Sequence, residues 1–280
     1  MSTSGYYDQS ASSYAAIRRA VGVDLVIGAI AAHGRSPVAD TDLIDAGCGS
    51  GLYITALAPL VRSITAFDSS AGMLEVATQA REELSSEIKP RVGLVQADVT
   101  EMPFEDQSAD VVLASLVMHH VFRAAGTRDA VVKALKECHR VLRPKGLLIS
   151  ITCTPAQVLD AAWYCALIPR RILEQSMERH GTIRQQVAET LSAGFELLTR
   201  VVPVDEILHG EAYFNMRGPL DPQWRASDSI FSLATDEEIS EMETTLRRRI
   251  EDGTLDEWFQ EREERRRSVG QVTISTYRRT

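Results

Sequence analysis

Residues 43–52 read LIDAGCGSGL. An apolar run ends in an acid, Asp45, and glycines follow at alternate positions, Gly47, Gly49 and Gly51. A buried strand that passes straight into so bare a backbone leaves few folds open. It reads as the strand–loop–helix of an α/β sheet, with the loop at the carboxyl end of the strand, where open sheets of this kind bind ligands.

The rest of the chain agrees with that frame. Short runs rich in Val, Ile and Leu mark strands at Asp42–Ala46 and Ser63–Asp68, in RVGLVQAD ending at Asp98, at Ala109–Leu116 and at Gly146–Thr152. Such runs suit strands covered on both faces. Helical spacing fills Ser70–Leu84 and Asp129–Leu142, and this alternation implies a parallel sheet between two helical layers. A sixth strand is expected over Ala193–Val204 and a seventh, with alternating pattern, over Val269–Arg279. About sixty residues separate these two, too many for a hairpin. They hold Tyr213, Phe214, Trp224, Phe231 and Trp258. Two helices are predicted there: one opened by a capping box at Thr235–Glu238 and closed by Gly253, the next from Thr254 to Arg267. The expected fold is therefore α/β: a Rossmann-like, seven-stranded, mostly parallel sheet with an antiparallel last strand, helices on both faces, and a helical cap between strands six and seven. Residues 1–40 form an N-terminal helical segment, 41–204 with 269–280 the α/β core, and 205–268 the cap.

Charge and composition narrow the partners. A net charge of −9 over 280 residues argues against nucleic acid. The longest apolar stretch, Val21–Ala32, is broken by Asp24 and too short to span a bilayer. MSTSGYYDQSASSY lacks the basic and apolar regions of a secretory signal. Cys48, Cys138, Cys153 and Cys165 have no CxxC spacing, and no His/Cys/Asp cluster has metal-ligand spacing. The expectation is a cytoplasmic protein with reduced thiols, without metal, membrane or nucleic-acid partner.

Which ligand would the loop hold? A dinucleotide fingerprint needs a third glycine where Leu52 stands, and a P-loop needs a lysine that is missing. D-x-G-x-G-x-G suits a ligand without phosphates that lies flat against the backbone. Asp68 ends the second strand, where a carboxylate can accept both ribose hydroxyls, and Asp98 ends the third, near an adenine edge. Two acids for a nucleoside, glycines in place of phosphate contacts and Asp45 beside a cationic amino-acid part describe S-adenosylmethionine.

LIDAGCGSG, FDSSAGML, QADVTEMPFEDQSADVVLASLVMHH and ECHRVLRPKGLLIS together resemble the class I S-adenosylmethionine-dependent methyltransferases, specifically the small-molecule branch that includes the quinone-biosynthesis C-methyltransferases. YDQSASSY resembles that branch's Y/F-D-x-x-A-x-x-Y segment. The resemblance spans roughly residues 40–152. It implies methyl transfer to a small organic acceptor by in-line displacement. It implies, too, that Tyr7 and Tyr14 fold over the methionine end of the cofactor, and that Asp45, Gly47 and Gly49 contact the methionine portion. Asp68 would bind the ribose, Ser69 and Met73 flank ribose and adenine, Asp98 and Val99 hold the adenine edge, and Ser115 faces the methionine and the acceptor.

Beyond the cofactor, His119 and His120 follow the fourth strand at the same edge and are the candidate general bases. Within the cap, Tyr213, Phe214, Arg217 and Trp224 are the candidate acceptor contacts; as an alternative, the same aromatics could build a homodimer interface. Two other functions stay open: a non-methylating reaction such as a cyclisation on the same cofactor, and a non-catalytic cofactor-binding module.

Overall fold

The computed structural model describes residues 11–280. Tyr7 and the rest of residues 1–10 lie outside the described residues. A helical stretch over residues 11–17 carries Tyr14 and leads into α1, Val23–His33.

Seven strands form one sheet: β1 Asp42–Ala46, β2 Ser63–Asp68, β3 Val92–Gln96, β4 Ala109–Ser115, β5 Leu142–Thr152, β6 Phe195–Val201 and β7 Thr273–Arg279. Their order is β3-β2-β1-β4-β5-β7-β6. Strands β1 to β5 pair parallel, and β7 runs antiparallel to both β5 and β6. This is the Rossmann-like sheet with an antiparallel last strand that the pattern predicts. The order reverses between β1 and β4, so their carboxyl ends flank a crevice in which neither crossover helix lies.

Alternate side chains of each central strand feed two apolar layers. Leu43, Val111, Leu113, Leu147 and Ile149 join Val26 and Ile30 of α1 on one face. Ile44, Val112, Ala114 and Leu148 face the other, against helix α5, Arg128–Val141. Burial on both faces is why these strands read as unbroken apolar runs.

A third apolar cluster lies outside the sheet. The insertion supplies Tyr213, Trp224, Phe231, Leu246, Trp258 and Phe259 to it. The two predicted helices are present as α10, Asp236–Glu251, and α11, Leu255–Val269; the first opens on the Thr235–Glu238 capping box. The chain before β6 contributes as much. Helices α6, Pro155–Asp160, and α7, Arg170–His180, with the turn Trp163–Leu167 between them, send Val158, Trp163, Tyr164 and Ile172 into the same cluster. Trp163 is fully buried and its indole N–H donates to the Tyr213 carbonyl at 2.9 Å. The helical layer is thus built from both sides of β6, wider than 205–268, because neither segment carries enough apolar surface to close a core alone. Among the described residues no helix is long and apolar enough to cross a membrane.

Candidate functional site

The loop after β1 takes its shape from its glycines. Gly47 has φ +71°, and a Cβ there would stand 2.5 Å from Val117 Cγ2, so a side chain is excluded twice over. Gly49 has φ +53° with open space where a side chain would project. The N–H groups of Gly47 and Cys48 both donate to the Phe67 carbonyl at the end of β2. Asp68, the next residue, accepts from Gly49 N at 2.9 Å and from Ser70 N at 2.9 Å. One carboxylate therefore ties the loop to the start of helix α3, Ala71–Glu82, which Ser70 caps by accepting from Met73 N.

Around this loop lies a cavity of about 460 Å³. The structure brings to its wall nearly all the predicted cofactor contacts: Tyr14, Gly47, Gly49, Asp68, Ser69, Met73, Asp98, Val99 and Ser115. Met73 and Val99 are buried and Asp98 is exposed, with one Asp98 oxygen accepting from the Thr100 N–H and hydroxyl, both at 2.7 Å. Asp98 stands two residues beyond the end of β3, in the turn that strand opens into.

Asp45 is placed differently. It is buried, lies behind the loop rather than on the cavity wall, and its Oδ2 has no hydrogen-bond partner among the described residues. Burial, together with the Asp68 charge, pushes its pKa up to about 7.

A second, smaller chamber of about 110 Å³ lies under the helical layer. It shares Tyr14, Leu116 and His120 with the first cavity. Both follow from the residues just after β4. Leu116 has φ +55°, a left-handed conformation uncommon for a side chain of its kind, held by its N–H donating to Ile151 at 2.8 Å. Helix α4, Met118–Ala125, starts there and carries His119 and His120. His119 faces the chamber alone, and His120 faces both spaces.

The His119 ring lies 3.9 Å from that of His120 and 4.2 Å, stacked, from that of His180 at the end of α7. The His180 Nδ1–H donates to the Ser176 carbonyl at 2.8 Å. Burial, reinforced by the neighbouring rings and guanidinium groups, holds His120 down to about 3 and His119 well below its ordinary value. Burial likewise lowers His180 to about 4. All three are neutral at neutral pH.

The cap's predicted acceptor contacts do not line either space. Tyr213 is fully buried in the third apolar cluster, its hydroxyl donating to Glu263 at 3.0 Å. Trp224 is buried there too, stacked on His209, with its N–H donating to Ala212 at 3.0 Å. Phe214 and Arg217 are exposed and line a separate hollow on the outer side. Aromatic content marked the cap as a buried layer but could not say which rings face inward to its own core. The helical-layer residues on the chamber wall instead include Tyr164, Arg179, His180 and Asp228. Arg18 joins them; standing four residues after Tyr14, it shares that residue's helix face, a spacing readable in the sequence. Leu116 and His180 carried no such local signal.

Comparison with known proteins adds the following. Residues 44–150 match the methyltransferase-domain family. A demethylmenaquinone methyltransferase of Clavibacter sepedonicus is 32% identical over 148 residues, 52% of this chain and 56% of that protein. A protein of Mycobacterium tuberculosis (strain CDC 1551 / Oshkosh), assigned as an S-adenosylmethionine-dependent methyltransferase, is 32% identical over 112 residues, 40% of this chain and 35% of its own length. The chain spans about half or less of the length of these curated relatives. Among solved structures, a candidate methyltransferase from an antibiotic biosynthesis pathway of Anabaena variabilis superposes with a TM-score of 0.66 at 19% identity, covering 92% of this chain and 97% of that one. The 4+2 cyclase SpnF superposes at 0.54 and 18%, covering 91% and 80%. At these identities the structures show a shared fold.

Proposed function

We propose, from the premise that residues 44–150 are a class I S-adenosylmethionine-dependent methyltransferase domain, that the chain moves a methyl group from that cofactor to a small organic acceptor by in-line displacement. The observation that carries the reading is the junction of the two spaces. The larger one lies at the sheet's switch point with the glycine loop, Asp68 and Asp98 on its wall. The smaller one opens beside it at Tyr14, Leu116 and His120, beneath the helical layer.

The residues present fit the cofactor. Among the described residues Asp45 leaves a buried carboxylate oxygen without a partner, and a cationic ammonium lying against the loop in front of it would supply a counter-charge. Gly49 has open space where a Cβ would intrude on a flat ligand. Asp68 is held at the loop in an acceptor orientation by two backbone N–H groups. The bound cofactor supplies a methyl group already activated on a sulfonium. What this chain must add is alignment and exclusion of water, and positioning alone can supply about 7–11 kcal/mol. Ser115 and Leu116 hold the near wall, and the helical layer closes the far one. His120 reaches both spaces as a neutral imidazole able to accept a proton from the acceptor. Its depressed pKa makes it a weak base, so the arrangement favours an acceptor that arrives as an anion or needs little deprotonation. The similarity to a demethylmenaquinone methyltransferase supports reading the acceptor as a small organic molecule. We place the protein in the cytoplasm, consistent with its four unbonded cysteines.

The direct test is incubation with methyl-labelled S-adenosylmethionine and a metabolite extract. S-adenosylhomocysteine should accumulate together with a labelled product one methyl heavier. Cofactor binding without turnover in any extract would leave a binding module, and a product of unchanged mass would mean a reaction of the cyclising kind.

Asp45 gives a second test. Asp45→Asn removes a charge that no group among the described residues compensates. The mutant should be more stable than the native apo-protein by about 1–2 kcal/mol at pH 8, the gain being trimmed by the unsatisfied amide. The same change should weaken cofactor binding at least tenfold. The sign follows from Asp45 having a folded pKa near 7, above its unfolded value: its ionised form costs stability as pH rises through 7. Urea melts and calorimetry read the two effects, and equal stability of the two proteins at pH 8 would rule the account out.

A further inference from the structure

We infer that the chamber beneath the helical layer holds an uncharged hydroxyl group of the acceptor, with His180 Nε2 accepting its hydrogen and Ser176 Oγ beside it. The inference rests on the methyltransferase reading and names a group by which that reading's acceptor is held.

One hydrogen bond sets the chemistry of His180. Its Nδ1 stands 2.8 Å from the Ser176 carbonyl. A carbonyl only accepts, so the ring proton is on Nδ1, and Nε2 of the neutral imidazole carries a bare lone pair. That nitrogen makes no hydrogen bond among the described residues. Unlike the Nε2 of His209, it is not cut off from open space. His180 is 9% exposed and lines the chamber, so the lone pair of a nine-tenths-buried ring opens there. A buried acceptor left without a donor is a rare state, most readily understood as one kept for a ligand.

Ser176 supplies the matching half. It stands one turn earlier on the same face of α7, is 8% exposed and lines the chamber too. Its Oγ likewise has no hydrogen-bond partner among the described residues and is open to that space. A ligand hydroxyl satisfies both groups, donating to Nε2 while its oxygen accepts from the serine. A carboxylate would set its lone pairs against that of Nε2. A buried ammonium would need a carboxylate, and the only one on the chamber wall, Asp228, already answers the Arg18 charge and accepts from the Tyr164 hydroxyl and Ile230 N. The wall's glutamines are engaged as well, Gln271 with Ala161 and Leu208, and Gln157 with Val269 and Thr273. Burial holds His180 to about 4, so it accepts a hydrogen bond and leaves the proton on the ligand: the hydroxyl is an anchor. Around it the wall is apolar at Val158, Ala161, Ala162 and Ile230, which suits a small carbon body.

The test uses the full chain at neutral pH and three probes: phenol, its isostere toluene, which lacks the O–H, and benzoate. S-adenosylhomocysteine is titrated first; if it does not bind the native protein, the methyltransferase reading fails and the inference falls with it. With that ligand bound, phenol should bind saturably and about tenfold more tightly than either toluene or benzoate. His180→Phe keeps a ring but removes the lone pair; it should lower phenol affinity about tenfold and leave toluene affinity within a factor of about three. His180→Gln, which returns an oxygen acceptor, should recover part of the loss. Retained S-adenosylhomocysteine binding in each variant shows that the fold persists. Should His180→Phe fail to hold it, the native protein's phenol-over-toluene preference and its reduction in Ser176→Ala decide. Toluene or benzoate binding as tightly as phenol, no phenol binding at all, or an unchanged phenol affinity in a folded His180→Phe protein would each overturn the inference, with the cofactor reading intact.

Discussion

Replacing Asp68 by alanine is expected to weaken S-adenosylmethionine binding by about a hundredfold or more. Two losses combine. The carboxylate would no longer be present to accept the ribose hydroxyls, a role proposed for it from its place at the end of β2. It would also release Gly49 N and Ser70 N, each now donating to it at 2.9 Å, and with them the link between the glycine loop and the start of α3. Hydrogen bonds to a charged acceptor contribute about 1.5–3 kcal/mol each, and about 3 kcal/mol already exceeds a hundredfold in affinity. The sheet itself should persist, since Asp68 sits at a strand end and the apolar layers lie beneath it. Asp68→Asn, which keeps an acceptor for one N–H, should lose less. Titration calorimetry measures both; a dissociation constant for Asp68→Ala within about threefold of the native value would show that this carboxylate does not bind the cofactor.

Mild acid should destabilise the protein through the histidine stack. The native pKa values of His120 and His180 lie at about 3 and about 4, with His119 also well depressed, against about 6.5 in the unfolded chain. Below pH 6.5 the unfolded chain therefore takes up protons that the native state refuses. The stabilisation from these neutral rings is complete above about 6.5 and drains away as pH falls toward 4. Each ring costs about 1.4 kcal/mol per pH unit in that window. His120 and His180 together would withdraw about 5 kcal/mol by pH 4.5, comparable to the whole stability of many domains. Asp45 acts in the opposite direction, since its raised pKa favours the native state as pH falls below 7. The comparison must therefore be made against a variant. Urea midpoints of the native protein and of His180→Gln, measured between pH 7.5 and 4.5, should diverge, the variant having the shallower slope. Parallel slopes would mean that His180 titrates like an exposed histidine and that the stack is not held neutral by burial.

Local signals made much of this molecule readable in the sequence. The limits of β1 and β2 coincide with the apolar runs Asp42–Ala46 and Ser63–Asp68. The Thr235–Glu238 box opens its helix where the spacing predicts. The glycine loop, Asp68 and Asp98 meet in one cavity because each stands at or just beyond the carboxyl end of a parallel strand, and parallel strands deliver those ends to one edge. Period, cap and strand end are properties of a few neighbouring residues, and such properties survive without knowledge of the fold.

The chamber proposed for the acceptor was decided only by tertiary packing. Its wall joins Arg18, His120, His180 and Asp228, residues that come from four separate stretches of the chain. Tyr213 and Trp224, two of the predicted acceptor contacts, turn inward to fill the helical layer's own core. Tyr164, from a segment before β6, lines the chamber instead. An aromatic residue's composition says that it will be buried. Which surface buries it depends on volumes and shapes contributed by segments far apart in the chain, and no local period records those.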